Sequence, residues 1–534
     1  MSKHGDQYDW IVVGDDPGAL LSAGLAAKLG LSVLVLPLLK SRGVLKTKND
    51  KFLDPESNLL LGVGKPDDGG DSGFGLLGRC LEQLGITAAE LSAFIAEDAL
   101  PQVLTPHCRI QAMGSAEKMS QELRREWGDE ELKGSGWATA LAHSEKGIQK
   151  YWSLLPEAYA QAAQSKSFGQ AALDRLFPKS ARHAGALASV SSRGLKDKAV
   201  AGKWFSRERL RNHAHADFFE GLWAGLGGSS FSSPRRFQLL QLAALRAGAV
   251  SVSGGNAAFR NLLLKLAKRN GADVELEAEC QAVFVSHGKF VGVQPHGHGG
   301  MISGSGAMLG VPLLLAAPCV SFNIGTGSPI QLQGRSIPDG WKLTLAISVH
   351  PEAIPPGSSR RMVWHEEGAP SIEIELTRGS GYGVRESSSS RCVIMARTVM
   401  PMTPESLTSQ TQRLTAARML RKLTETFPFL DYHIEWIYPD FRSDESQEFA
   451  EVYGFSSLTA IPSNLLCFGV SGNGIQTGIE GLFVSSGESF PELGSLGYAV
   501  SAIEGVNWAA RRSQISGPFA NGPGPDSRAQ TLPG

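Results

Sequence analysis

The sequence predicts an α/β fold with a second, mixed domain. Three observations carry that reading. The chain opens on a strand, a glycine turn, a helix and a second strand. It closes in the same style, with a short apolar strand, a turn and a helix. Between the two lie a block of helical periodicity and a block in which strands alternate with turns.

The opening reads Tyr8-Asp9-Trp10-Ile11-Val12-Val13-Gly14-Asp15-Asp16-Pro17-Gly18-Ala19. A buried strand leads to a tight turn at Gly14, a helix over 20–29 closed by Gly30, and a strand over 32–36. That βαβ order within roughly 30 residues is the Rossmann-like, dinucleotide-binding unit. Two positions break its fingerprint. Asp16 stands where the second glycine would let backbone approach a pyrophosphate, and Pro37 stands where an acid would bind ribose. Like charges ~4 Å apart cost about 4 kcal/mol at an effective dielectric near 20, and a lost charged hydrogen bond roughly 1.5–3 kcal/mol more. Asp15-Asp16 would instead satisfy the helix dipole and the free amides of the helix start.

Further along, 76–84 and 88–95 carry helical spacing, and from about 115 to 247 the pattern is almost wholly helical, with segments near 115–127, 136–165, 169–176, 207–226 and 234–247. Within that insertion, residues 175–211 hold ten basic residues against Asp197 and Glu208. The stretch is +8 while the rest of the chain is −9. It reads either as a solvated loop or, with Trp204-Phe205, as a contact for anionic lipid headgroups. A helix over 257–269, short strands near 274–277, 282–285 and 290–293, and an unpatterned glycine-rich segment at 296–306 come next. Strands at 342–349, 361–364, 371–376, 392–399 and 432–438 surround a long helix at 404–426, with Thr403 and Ser406 as candidate caps. The 517–534 tail is rich in Gly, Pro and Ser, a composition expected to be disordered.

Composition narrows the function classes. A net charge of −1 over 534 residues offers no global field for nucleic acid. Six scattered cysteines without a CxxC pair read as buried fillers in a reducing compartment. The polar N-terminus carries no signal peptide, and the apolar run 307–322 is too short and too broken for a bilayer span. The expectation is a cytoplasmic chain, with peripheral contact at the inner face of the membrane through 175–211. His213-Ala-His215 and His296-Gly-His298 have metal-ligand spacing on a strand, but no third ligand lies near either, so no metal is expected. Oligomeric state is left open.

Three segments together resemble one family. They are the Gly14 turn, the Gly254-Gly255-Asn256 helix with Val274, Cys280, Val283 and Phe290-Val291-Gly292-Val293, and Leu482 through Pro491 followed by Leu496-Gly497-Tyr498-Ala499. Their order and spacing over roughly 450 residues are similar to those of the flavin oxidoreductases of the phytoene desaturase, carotenoid isomerase and amine oxidase group. The resemblance implies an FAD/NAD(P)-binding Rossmann-like domain from 1–110, 250–300 and 455–534, and a substrate-binding-like domain from 111–249 and 301–454. It implies FAD, held near Gly14, Asp16, Pro17, Gly18, Ala19, Gly43, Cys280, Gly487, Glu488 and Gly497, and a large apolar, carotenoid-like substrate. The flavin would carry the hydride chemistry, so no catalytic side chain is nominated. Two functions stay open: an FAD-dependent oxidoreductase or isomerase, and a non-catalytic relative that has lost FAD and serves as a binding or scaffold partner.

Overall fold

The computed structural model describes residues 7–36, 45–46, 52–53, 59–63, 76–96, 100–113, 116–134, 213–227, 249–252, 255–275, 278, 280–296, 300–310, 340–378, 392–401, 405–406, 408–438, 479–485 and 495–512. In chain order the strands are β1 (Gln7–Gly14), β2 (Val33–Leu36), β3 (Leu45–Lys46), β4 (Phe52–Leu53), β5 (Leu59–Leu61) and β6 (Ile95–Ala96). Then come β7 (Gln102–Leu104), β8 (Arg109–Gln111), β9 (Ala249–Val252), β10 (Asp273–Val274), β11 (Cys280–Ser286), β12 (Lys289–Pro295) and β13 (Ile302–Gly310). The last six are β14 (Gly340–Val349), β15 (Arg361–Glu366), β16 (Ala369–Arg378), β17 (Cys392–Pro401), β18 (Ile434–Tyr438) and β19 (Leu482–Val484). The helices are α1 (Pro17–Lys28), α2 (Leu76–Gln83), α3 (Ala88–Phe94), α4 (Ala116–Gly134), α5 (His213–Gly227), α6 (Gly255–Arg269), α7 (Ser409–Thr426), α8 (Leu430–His433) and α9 (Leu496–Arg512).

The first sheet runs β10-β2-β1-β13-β12-β11, with β19 also on β13. Its centre is parallel: β1 pairs β2 on one side and β13 on the other, from Gln7↔Ser303 to Gly14↔Gly310. From Trp10 to Val13, alternation divides β1 between two cores. Trp10 and Val12 join α1, α6 and α9 on one face, while Tyr8, Ile11 and Val13 join Leu34, Leu36, Val283 and Val293 on the other. Trp10 anchors the first core, its ring 5.8 Å from Phe483 and 6.2 Å from Trp508.

β13 is the strand that the sequence pattern hides, falling across the supposedly unpatterned 296–306 segment. It needs glycine where large neighbours close in. A Cβ at Gly306 would lie 2.3 Å from the Trp508 ring and 2.9 Å from that of Trp10. Over 303–306 the apolar contacts that mark a buried strand are therefore supplied by other elements, while Ala307, Met308 and Leu309 supply their own.

The second sheet runs β18-β14-β17-β16-β15-β7-β8. α7 packs on one face, over Leu345, Ile347, Ile374, Ile394 and Ala396. The helix starts later than its pattern suggests, because Thr408, whose hydroxyl accepts from the Thr411 amide, is the cap rather than Thr403 or Ser406. Residues 432–438 divide between the end of α8 and β18.

Two pieces of chain cross the expected domain boundaries. β7, from within 1–110, and β8, which straddles residue 110, join the second sheet through β15. β13, from within 301–454, is central to the first. Each follows its hydrogen-bond partner, which a linear boundary does not record. The insertion is described only in α4 and α5, and the 175–211 run, the 517–534 tail, Pro37, Gly43, Gly254, His298, Gly487 and Glu488 lie outside the described residues.

Candidate functional site

β1, β13 and β19 all end at the start of α1. In an open α/β sheet, the carboxyl ends of the strands where the connections diverge are the place for a ligand. A helix N-terminus there presents unpaired amides and a partial positive charge to an anion.

Here those amides are already engaged. Asp16 caps α1, and its Oδ1 accepts from the amides of Gly18 at 2.8 Å and Ala19 at 3.4 Å. Pro17, at the first helical position, has no amide to offer. Leu20 already bonds the Asp16 carbonyl at 3.0 Å, and the Asp16 amide bonds the Gly310 carbonyl at 3.2 Å. The first-turn donors are thus satisfied by one residue and by backbone.

Ser485 completes the arrangement. Its amide bonds the Leu309 carbonyl at 2.9 Å, which extends the β13–β19 pairing by one residue and brings the hydroxyl over the helix start. Its Oγ donates to Asp16 Oδ1 at 2.7 Å, and the residue is fully buried. Gly18 is what lets it approach. A Cβ on Gly18 would lie 2.2 Å from Ser485 Oγ, 3.1 Å from Asp16 Oδ1 and 3.1 Å from the Tyr498 Cα. Gly310 similarly has no space for a side chain, 2.8 Å from the Ala19 Cβ. The neighbouring acid is held as well: Arg260 of α6, largely buried, places Nη1 3.8 Å from Asp15 Oδ2.

Five of the expected cofactor residues, Gly14, Asp16, Pro17, Gly18 and Ala19, come together here, and Gly497 begins α9 beside them. Gly14 takes φ 111°, the left-handed region open to glycine, to turn the chain out of β1. Cys280 does not join them. It opens β11 within the core on the sheet face opposite α1, and its Sγ bonds the Ala282 carbonyl at 3.4 Å. Burial pushes that thiol up to about 12. Ser485, Arg260 and Gly310 are site residues that sequence reasoning missed. Ser485 falls within the 482–491 segment that carries the family resemblance, but nothing local connects it to a turn 469 residues away.

The site does not fit an FAD pyrophosphate. The anion would have to replace the Asp16 carboxylate at both amides, break its bond to Ser485, and share the space with a carboxylate that is covalently fixed there. Of the two HxH pairs, only His213-Ala-His215 lies wholly within the described residues. α5 puts 213–215 on a helix rather than a strand, and His215 is buried with its ring 3.8 Å from that of Trp127.

The second sheet carries a buried charge network on the face turned away from α7. Glu375 places one oxygen 2.7 Å from Arg397 Nη1 and the other 3.6 Å from Arg361 Nη2, all three nearly fully buried. Arg361 lies directly opposite Glu375 across its ladder, while Arg397 lies opposite Glu373 and reaches Glu375 on the diagonal. Beside it, the His365 Nε2 lies 3.1 Å from Glu220 Oε2 of α5. Toward β18 the same sheet holds an apolar patch of Ala346, Val393, Met395 and Tyr438.

No protein-family model matches the chain, and no curated protein matches it. Solved structures do. An oxidoreductase from Methanosarcina mazei is 13% identical over 93% of this chain and 99% of its own, with a TM-score of 0.51. A putrescine oxidase variant redesigned for cofactor binding is 15% identical over 96% and 99%, at 0.49. A geranylgeranyl bacteriochlorophyll reductase-like protein from Thermoplasma acidophilum is 11% identical over 95% and 78%, at 0.44. At such identities the likeness is one of fold alone: this chain shares the α/β architecture of the Methanosarcina mazei oxidoreductase.

Proposed function

We propose that this chain is a non-catalytic relative within that fold, one that does not hold FAD in the site the fold provides and works as a binding or scaffold partner. One observation carries the reading: the Asp16 carboxylate, fixed by Gly18, Ala19 and Ser485, takes the place of the anion at the start of α1. An acid so placed is stabilised by the helix dipole and repels a diphosphate by about 4 kcal/mol at ~4 Å. Pro37 adds to this, because proline offers no carboxylate to a ribose.

The ligand class rests on the resemblance to carotenoid desaturases and isomerases, which implies a large apolar molecule. Peripheral membrane contact through 175–211 belongs to the same reading, since an apolar ligand partitions into lipid.

Flavin titration tests the proposal. The purified protein should be colourless and stay so after incubation with excess FAD and gel filtration. Yellow protein carrying about one equivalent of flavin would overturn the reading and restore the oxidoreductase.

A further inference from the structure

The outer edge of the second sheet brings together three side chains that the α1 site does not use. The β14–β18 ladder ends at Val349↔Ile434. One step beyond, His350 donates its amide to the His433 carbonyl at 3.2 Å, so the two histidines continue the antiparallel ladder as opposite neighbours. Opposite neighbours hold their Cβ atoms about 4.5–5.5 Å apart. Here the two imidazoles stack, with centroids 5.9 Å apart and planes 28° from parallel.

The chain then folds back on itself. Pro351–Ala353 forms a single 3-10 turn, with the Ala353 amide on the His350 carbonyl at 3.0 Å. That turn returns Glu352 toward the first ring, its Oε2 3.5 Å from His350 Nδ1. One ligand atom from each of His350, Glu352 and His433 lies within 4.8 Å of the other two. Two ligands of a tetrahedral zinc ion, each ~2.0–2.1 Å from it, stand about 3.3 Å apart. The His350–Glu352 pair already has that spacing, and a ring rotation closes the rest.

We propose that His350, Glu352 and His433 bind one divalent cation of the zinc class. Two imidazoles and one carboxylate are the donors that borderline metals prefer over magnesium or calcium, which take oxygen. A half-exposed His350 and a largely exposed Glu352 leave room for water in the fourth position. Backbone places the ligands before any metal arrives: the ladder fixes one histidine against the other, and the turn fixes the acid. The bound cation would tie the end of β14 to the end of α8 and so clamp β18, the edge strand of the sheet.

The test uses tag-free, chelator-treated full-length protein titrated with zinc by calorimetry and with cobalt by absorbance. One equivalent of zinc should bind, cobalt should develop visible bands, and magnesium in excess should displace neither. His433→Ala and Glu352→Gln should each weaken zinc binding roughly 10-fold or more. His107→Ala, at an exposed histidine on another element, should leave it unchanged. Unchanged thermal unfolding of the metal-free variants shows that they fold. Zinc uptake by His433→Ala equal to that of the parent would overturn the proposal, as would no uptake by the parent.

Discussion

Asp16 does two jobs that ordinarily fall to separate partners. It caps a helix, and it fills the anion position that the helix creates. Asp16→Ala removes the cap and should cost about 1 kcal/mol of stability, read as a lower midpoint in urea at an unchanged slope. Gly18→Ala should cost more, about 1–3 kcal/mol, since its methyl would collide with Ser485 Oγ. Asp16→Gly combined with Pro37→Glu removes the competing acid and supplies a ribose partner, and should gain measurable flavin binding. A double variant that remains colourless at millimolar FAD would show that more than these two positions abolish it. The capping role was legible in the sequence, because an acid before Pro-Gly-Ala at a helix start depends only on neighbours. The third partner was not legible, because Ser485 reaches Asp16 through tertiary pairing alone.

The strands of the second sheet were readable from their alternation, but not what covers them. Glu373, Glu375 and Arg397 alternate with Ile372, Ile374, Ile394 and Ala396, the pattern of a sheet with one wet face. The structure buries both faces and satisfies the charges by pairing across the ladder. Removing one member of such a group leaves a buried charge without compensation. Glu375→Gln should therefore destabilise by about 3–5 kcal/mol, measured by chemical denaturation. Replacing Arg397, Glu375 and Arg361 together by apolar residues of similar volume should cost much less. Equal losses in the two variants would mean that the network stabilises beyond satisfying its own charges. β13 shows the opposite failure of pattern: Gly304 and Gly306 removed the apolar signal from the first half of a central strand.

At the scale of the molecule, the Glu90–Arg269 surface ion pair contributes to the response to acid, and burial of the thiols to the response to thiol reagents. The Arg269 guanidinium and the Thr87 amide hold the Glu90 carboxyl down to about 2, from an ordinary value near 4.5. A lowered folded value means that its contribution is complete above 4.5 and is lost as the pH falls through about 2. Melting temperature followed from pH 6 to pH 2 should fall less in Glu90→Gln than in the parent. Burial pushes the Cys80 and Cys280 thiols up to about 12, so neither should react with maleimide at pH 8 until the chain is unfolded. No helix among the described residues is long and apolar enough to cross a membrane. The proposed contact through 175–211 draws on its ten basic residues, and neutralising Lys196, Lys198 and Lys203 should weaken salt-sensitive binding to anionic vesicles. The pairing of β1 with β13 has a consequence in time. At ~5–20 residues per second of synthesis, β1 waits roughly 15–60 s for the strand that completes its second edge, and β13 waits again for β19. During that interval an apolar strand with an open side is available to any other chain. A protein built this way depends on being shielded while it is made, and one truncated before Leu482 should be recovered as aggregate.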